Sequence, residues 1–216
     1  MRAIIFVNGQ FSEPQYVHDL ICPDDYVIAV NGGTRHALRM GIVPHVVIGD
    51  LDSLSPADKA QIKDAGGEIL PFSPHKDQTD LELALCHAIE KDVTDIILVA
   101  ALGGRIDQMV ANLFLLTLPE LAGRNVSIVE RNQTIFLIRD NSSITGSPGD
   151  MVSILPIGGD AIGVSNDGFE WPLRDETLPS GSPRGISNVL RQHQTQISVR
   201  KGMLLCIVTR RSESPL

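Results

Sequence analysis

Four short segments of the 216-residue chain hold the residues best able to do chemistry, because glycine, aspartate and single cations cluster in them. They read NGGT at 31–34, GDLDS at 49–53, KDQTD at 76–80 and GGRID at 103–107. Glycines let backbone N–H groups approach a phosphate closely, and aspartate oxygens suit a hard cation such as Mg²⁺. Together the four segments predict a site for a magnesium–nucleotide complex.

Each segment taken alone also has a structural explanation. Asp50 and Asp52 lie two residues apart and would face one side of an extended stretch, but aspartates are equally common in turns that precede helices. Asp80 falls in the first turn of an expected helix, where the helix dipole favours a carboxylate without any function. The prediction therefore depends on all four segments meeting at one place.

The first 125 residues provide elements that would bring the segments together. Short β-branched stretches alternate there with helical patterns, which predicts β-α units and a mostly parallel sheet. The expected strands are 3–7, 26–30, 45–48, 68–72 and 95–101. Each of the four segments follows one of the last four strands. Ligands of such sheets bind beyond the carboxyl ends of the strands, which is where the segments would lie.

Two helices are predicted in the same region. Apolar residues between 81 and 89 follow helical spacing, and Thr79 with Glu82 fits a capping box, so a helix should begin at about Asp80. A second helix should run from about 107 to 118 and stop before Pro119. Both helices would begin within a glycine- and aspartate-rich segment.

From about residue 126 the pattern changes to short apolar stretches separated by Gly, Pro, Ser and Asn. This is typical of an antiparallel β domain. The expected strands are 126–129, 134–138, 151–155, 196–199 and 203–208, with a loop at 178–185. We therefore predict an α/β domain at 1–125 and a β domain at 126–216.

The β domain contains the only tryptophan of the chain, Trp171. Core packing in a small domain would explain a single Trp. An aromatic face beside Ser and Asn groups is also how proteins grip a flat heterocycle, and Ser165 and the pair Ser187–Asn188 could supply those groups. Both explanations stay open from the residues alone.

Composition excludes several function classes. The chain has 18 basic and 26 acidic residues, a net charge of −8, and no basic run that would bind a phosphate backbone. Nucleic acid is therefore not an expected partner. Apolar stretches are too short for a signal peptide or a membrane span, so we expect a cytoplasmic protein with no membrane association. Cys22, Cys86 and Cys206 lack disulfide or zinc spacing and should be buried thiols.

Three common nucleotide and hydrolase motifs are missing from the sequence. Neither G-x-x-x-x-G-K-[ST] nor G-x-G-x-x-G nor G-x-S-x-G occurs, which argues against a P-loop NTPase, a dinucleotide enzyme and an α/β-hydrolase. The histidines also lack metalloprotease spacing. A phosphate site here must be of another kind.

In order and along nearly the whole chain, the motifs resemble the thiamine pyrophosphokinase family. The matching pieces are 31–33, 49–53, 77–80, 103–108, 165–173, 187–188 and 197–202. The resemblance implies a Rossmann-like three-layer α/β domain followed by an antiparallel β-sandwich, and a homodimer with active sites at the subunit interface. It also implies an enzyme that converts ATP and thiamine into AMP and thiamine diphosphate with Mg²⁺.

The same resemblance assigns roles to individual residues. Asp50, Asp52 and Asp80 would be catalytic and hold magnesium, and Asp107 would be a further catalytic carboxylate. Our own hypothesis, from the charges of the reaction, is that Asp107 or Asp80 accepts the hydroxyl proton. The residues that would bind ATP are Asn31, Gly32, Gly33, Ser53, Asp77, Gln78, Thr79 and Arg105. The residues that would bind thiamine are Gln108, Ser165, Trp171, Ser187 and Asn188.

One departure keeps other functions open. The family commonly has Asp where Asn31 stands, so one negative charge is missing. A diphosphokinase acting on another heterocyclic alcohol, such as a hydroxymethyl-pterin, is one alternative, although Trp171 and Ser187–Asn188 favour thiamine. A binding protein without catalytic activity is the other alternative, although all four aspartates remain.

Overall fold

The computed structural model describes residues 1–211, and the chain divides into two units, Met1–Arg131 and a second that begins at Asn132. The division lies six residues after the boundary expected from the sequence, because the strand at 125–130 belongs to the first unit. Each unit has its own sheet architecture and its own core.

The first unit is an α/β domain with a parallel sheet. Its strands are β1 (Arg2–Phe6), β2 (Tyr26–Val30), β3 (Val46–Gly49), β4 (Glu68–Pro71), β5 (Asp95–Val99) and β6 (Asn125–Glu130). The spatial order is β6-β5-β1-β2-β3-β4, and every neighbouring pair is parallel. The predicted α/β class is thereby confirmed.

Helices follow the strands and pack on this sheet. They are α1 (Gln15–His18), α2 (Gly33–Arg39), α3 (Pro56–Asp64), α4 (Asp80–Glu90) and α5 (Ile106–Leu115). Strands β1, β2 and β3 are almost entirely buried, as expected of strands covered on both faces. Their apolar side chains form the core on which the site at the strand ends rests.

The predicted start of α4 is confirmed. Thr79 Oγ1 accepts a hydrogen bond from Glu82 N at 3.2 Å, as an N-cap should. The Glu82 carboxylate accepts from Gln78 Nε2 at 3.3 Å, so only the Thr79 half of the predicted capping box is seen. The complete capping box stands at α3, where Ser55 and Asp58 bond reciprocally.

The sequence-based placement of 126–129 in the antiparallel domain is wrong. This stretch forms most of β6 and pairs in parallel with β5, from Asp95 opposite Asn125 to Val99 opposite Val129. An apolar β-branched run has the same appearance in a parallel and an antiparallel sheet. Its partner is decided by packing that a local pattern does not record.

The second unit consists of two antiparallel sheets. Its strands are β7 (Gln133–Ile138), β8 (Asn141–Thr145), β9 (Met151–Pro156), β10 (Ala161–Asp167), β11 (Glu176–Leu178), β12 (Asn188–Val189), β13 (Gln194–Ser198) and β14 (Leu204–Thr209). One sheet has the order β12-β9-β14-β7 and the other β11-β10-β13-β8. Both contribute to one apolar core, which confirms the expected β-sandwich.

Two further findings bear on the expectations above. No helix in residues 1–211 is long and apolar enough to cross a membrane. The three cysteines are free, as expected, but only Cys206 is buried; Cys22 is exposed and Cys86 is half-buried. The expectation of three buried thiols was therefore wrong for Cys22 and Cys86.

Candidate functional site

A cavity of about 570 Å³ lies in the first unit, where strands β1, β2 and β5 end and helices α4 and α5 begin. Several residues predicted from the sequence line it: Asn31, Thr79, Asp80, Gly103, Gly104, Arg105 and Gln108. The carboxyl-end rule for parallel sheets thus located the cavity correctly. Gln108 was expected at thiamine, and the structure places it here.

Asn31 connects three segments at the edge of this cavity. Its Oδ1 accepts from Leu51 N at 3.2 Å, and its Nδ2 donates to Asp80 Oδ2 in a short contact. Its backbone has φ of 45°, in the left-handed region that Asn tolerates better than most residues. The segments after β2 and β3 and the start of α4 are therefore joined through one carboxamide.

Asp80 is the acidic residue that lines the cavity, and it is ion-paired. Lys76 Nζ contacts Asp80 Oδ1, and the ammonium also lies 5.7 Å from the centre of the Phe72 ring. The side chains of Lys76 and Asp80 are each 19% exposed. This pair places one cation and one carboxylate at the first turn of α4.

Asp50 and Asp52 lie in the segment after β3 but do not line the cavity. Asp52 is exposed, and its N–H donates to Asp50 Oδ1 at 3.4 Å. Within residues 1–211, no three His, Cys, Asp or Glu side chains are grouped to hold a metal ion. The structure therefore does not assemble Asp50, Asp52 and Asp80 into one cluster.

Ser53, Gly32 and Gly33, which were expected to bind ATP, do not line the cavity. Ser53 Oγ is buried without a hydrogen-bond partner, and its carbonyl accepts from Arg35 Nη2 at 2.9 Å. A Cβ on Gly32 would lie 2.1 Å from Asn8 Oδ1, and one on Gly33 would lie 2.2 Å from Phe6 O. The neighbour of Gly33 is backbone that cannot give way, so only glycine fits there, whereas the neighbour of Gly32 is the end of the Asn8 side chain.

Arg105 and Asp107 form an exposed pair at the start of α5. Arg105 Nε donates to Asp107 Oδ1 at 3.1 Å and its Nη2 contacts Oδ2, so the pair is bidentate. These hydrogen bonds hold the pKa of Asp107 below its usual range. Asp107 is therefore a weak proton acceptor and is better suited to orient the Arg105 guanidinium.

The remaining predicted residues of the 76–80 segment have different surroundings. Asp77 and Gln78 are exposed and do not line the cavity, and Gln78 bonds to Glu82. Thr79 both caps α4 and lines the cavity. Of this segment, Thr79 and Asp80 lie where they can meet a ligand in the cavity.

Sequence reasoning missed the residues that follow β1. Asn8, Gly9 and Gln10 line the cavity, and Gly9 N donates to Ala100 O at 2.7 Å. The signal was present, because these residues follow the first predicted strand just as the four segments follow the others. Asn112 was missed as well; it is buried on α5 and donates to Ala101 O at 2.7 Å.

His36 supports the loop after β1. Its Nε2 lies 3.1 Å from Gly9 O, and its ring packs against Phe11 at 4.9 Å between centres. Burial lowers the pKa of His36, so the ring is neutral at pH 7. A carbonyl oxygen only accepts, so Nε2 carries the proton and donates to Gly9 O.

A second cavity, of about 600 Å³, lies in the second unit and contains the predicted Trp171, Ser187 and Asn188. Trp171 is 58% exposed, which rules out the core-packing explanation. Asn188 fixes its backbone: Trp171 N donates to Asn188 Oδ1 at 3.1 Å, and Asn188 Nδ2 donates to Trp171 O at 2.7 Å. The indole is thus presented to the cavity by a rigid backbone.

Other residues complete the walls of the second cavity. Ile186 is 49% exposed beside Ser187, whose N–H donates to Ser153 Oγ at 2.9 Å. Arg184 also lines the cavity and is ion-paired with Glu176. The walls are therefore largely apolar with a few fixed polar groups, a composition typical of sites for small molecules.

Ser165 lies outside this cavity. It lines a neighbouring depression that shares Asn166, Pro172 and Leu173 with the cavity, and its Oγ accepts from Asp175 N at 2.9 Å. The neighbouring Asn166 lines both the depression and the cavity, whereas Ser165 lines only the depression. The structure thus brings together Trp171, Ser187 and Asn188 but not Ser165.

Comparisons with known proteins match both units. Residues 17–128 match the family model for the thiamin pyrophosphokinase catalytic domain, and residues 135–204 match the model for its vitamin B1 binding domain. The chain is 29% identical over 182 residues to the thiamine pyrophosphokinase of Bacillus subtilis (strain 168). That similarity covers 83% of this chain and 85% of the relative.

Solved structures show the same similarity. The crystal structure of thiamine pyrophosphokinase from Bacillus subtilis superposes with a TM-score of 0.86 and 26% identity, covering 98% of this chain and 100% of that one. The thiamin pyrophosphokinase structure from Geobacillus thermodenitrificans gives a TM-score of 0.84 and 27% identity over 99% of both chains. The similarity in fold thus extends over both units.

Proposed function

The chain belongs to the thiamin pyrophosphokinase family, and we propose from this membership that it transfers the diphosphoryl group of ATP to the hydroxyl of thiamine. The products are thiamine diphosphate and AMP. One observation carries the proposal. The catalytic-domain model matches the first unit and the vitamin B1 binding model matches the second, and each unit contains a cavity large enough for a substrate.

The cavity of the first unit is the proposed nucleotide site. Backbone N–H groups of Gly103 and Gly104 can approach phosphate oxygens because these residues have no side chain. Arg105 supplies a planar cation suited to bidentate phosphate binding. Asp107 orients that guanidinium through its two hydrogen bonds.

Magnesium is the proposed cofactor. Mg²⁺ is usually held by one or two carboxylates, with substrate phosphates and water completing its coordination. The chemistry of the donors fits this requirement, because Asp50 and Asp52 offer oxygen ligands and Ser53 Oγ is buried without a partner. However, both Asp80 oxygens are occupied by Asn31 and Lys76, and the three aspartates are not grouped around one point. When bound, the ion neutralises phosphate charge.

The proposed mechanism depends on positioning and electrostatics. The thiamine oxygen attacks the β-phosphorus, the bond from that phosphorus to the α-phosphate oxygen breaks, and the hydroxyl proton passes to solvent or a nearby base. Such transition states are loose and need little help from a strong base. Arg105 stabilises phosphate charge, and the walls of the first unit's cavity position the nucleotide.

The cavity of the second unit is the proposed thiamine site. The exposed Trp171 face can stack on a heterocyclic ring, and Ser187 can hydrogen-bond to its polar groups. Asn188 has a positioning role, since its carboxamide is occupied by the Trp171 backbone. Ser165 and Gln108, which the resemblance also assigned to thiamine, are weaker candidates because neither lines this cavity.

We propose a homodimer with active sites at the subunit interface. Ile106, Val110 and Phe114 are spaced four residues apart on α5 and are 76%, 46% and 52% exposed. A continuous apolar stripe on a helix is rarely left in contact with water. A second copy of the chain is the occupant that the family resemblance implies for this surface.

We also propose that the protein is cytoplasmic. Three free cysteines, one of them exposed, are compatible with a reducing compartment, and the proposed co-substrate ATP is most abundant there.

One assay of product formation tests the proposed function. The chain is incubated with thiamine and Mg-ATP, and AMP and thiamine diphosphate are measured together. Equal amounts of both products are expected. Hydroxymethyl-pterin in place of thiamine tests the alternative acceptor. Tight binding of ATP and thiamine without AMP release would instead indicate a binding protein.

A further inference from the structure

Both carboxylate oxygens of Asp80 are occupied by donors from this chain. Asn31 Nδ2 donates to Oδ2, and Lys76 Nζ pairs with Oδ1. The Asp80 side chain is only 19% exposed, so water solvates it incompletely. A carboxylate removed from water needs donors or cations on its oxygens. Here the chain itself supplies them.

The carboxamide of Asn31 can adopt only one orientation. Its oxygen must face Leu51 N, which is a donor, and its nitrogen must face the Asp80 carboxylate, which is an acceptor. The Asn31 backbone is also anchored, since its N–H donates to Ile48 O at 3.1 Å. Asn31 therefore fixes the distance between Asp80 and the segment that follows β3.

We propose that Asn31 is a positioning residue. Its side-chain N–H group occupies Asp80 Oδ2, an oxygen that a cation would otherwise neutralise. Asn31 joins Asp80 to the Asp50–Asp52 segment before any metal is bound. An aspartate at this position would still accept from Leu51 N but would face Asp80 with a like charge. The link between Asp80 and the segment after β3 is therefore formed without a metal ion.

A thermal double-mutant cycle tests the pairing. Melting temperatures are measured in EDTA for the native chain, Asn31→Asp, Asp80→Asn and the double variant. Asn31→Asp should lower Tm by about 4–10 °C, because a charged hydrogen bond becomes a repulsion. The double variant restores an amide–carboxylate pair with its ends exchanged. Its loss of Tm should therefore be much smaller than the sum of the losses in the two single variants. Additive effects would overturn the pairing.

The metal response tests the second part of the proposal. Adding millimolar Mg²⁺ without nucleotide should raise the Tm of Asn31→Asp by several degrees and leave the native Tm within about 1 °C. If Mg²⁺ raised the Tm of both proteins equally, the native site would also need the ion, and the proposal would be wrong. The proposal would also be wrong if Mg²⁺ raised the Tm of neither protein.

Asn125→Asp is a matched control. Asn125 Nδ2 also donates to an aspartate, Asp95 Oδ1, at 2.8 Å, but the pair is exposed and lies at the opposite edge of the sheet, where β5 and β6 begin. The same chemical change there should alter Tm by less than about 2 °C and leave turnover unchanged. An equal loss in both variants would indicate a general charge effect and overturn the proposal.

Measurements of turnover distinguish a positioning role of Asn31 from a purely structural one. Only the turnover measurements rest on the proposed function. At 25 °C, where both proteins are folded, Asn31→Asp should reduce kcat at saturating Mg-ATP about tenfold and leave KM for thiamine within about twofold. An unchanged kcat would reduce Asn31 to a structural role. If the native chain forms no thiamine diphosphate, the proposed function fails, and the thermal cycle still decides the role of Asn31.

Discussion

Truncation of Trp171 tests whether its exposed face binds thiamine. Trp171 is 58% exposed, so about 140 Å² of the residue, most of it indole, contacts solvent in the free protein. A ring stacked on one face would cover about half of that area. At about 25 cal/mol per Å², the lost contact is worth about 1.8 kcal/mol. Trp171→Ala should therefore raise KM for thiamine about 20-fold.

The folded state should tolerate this change. Both hydrogen bonds from Asn188 go to the backbone of Trp171, so truncating the indole leaves them intact. We expect Tm to fall by no more than about 2 °C. Initial rates at saturating Mg-ATP with varied thiamine give KM, and calorimetry gives Tm. Trp171→Phe should recover part of the affinity because it retains an aromatic face.

Met151→Ala is the control for a general surface effect. Met151 is a large apolar residue of the same unit, 39% exposed, and it lies outside the cavity. Its truncation should leave KM for thiamine unchanged. If Trp171→Ala also left KM unchanged, or raised KM for ATP instead, the stacking argument would be refuted.

Three other predictions follow from named side chains. Asp52→Asn should lower turnover about a hundredfold with little change in Tm, since Asp52 is exposed; near-normal turnover would remove it from the metal site. Burial lowers the pKa of His87, so below about pH 6.5 the unfolded chain takes up a proton that the folded chain does not. Tm should therefore fall on acidification from pH 7.5 to 5.5, and less so in His87→Gln; equal losses would contradict this. Phe114→Glu should shift a dimer to monomer in analytical ultracentrifugation, whereas a persistent dimer would place the interface elsewhere.

Local patterns predicted the first unit well because its signals are local. The stretch at 26–30 is β-branched and buried, and α4 begins after a threonine cap, as predicted. Parallel strands also bring their carboxyl ends to one edge, so segments distant in sequence could be placed together. The same rule applied to β1 would have added Asn8, Gly9 and Gln10.

What the sequence could not provide was the direction of each side chain. In β10, Ser165 and Asn166 are both polar, and only the pairing register determines which one faces the cavity. The polar sequence of β8, NSSIT, carries too little apolar alternation to predict a strand. Asp50 and Asp52 likewise looked equivalent to Asp80 until the contacts around Asp80 were known.

Gly49 limits which residues can stand at positions 49 and 31. A methyl group on it would lie 2.1 Å from Asn31 Oδ1, and its φ of 146° is one that residues with a side chain rarely adopt. Any larger residue at 49 would push the Asn31 carboxamide off Leu51 and Asp80. Homologous chains that keep this backbone conformation and a branched polar side chain at 31 should therefore keep glycine at 49.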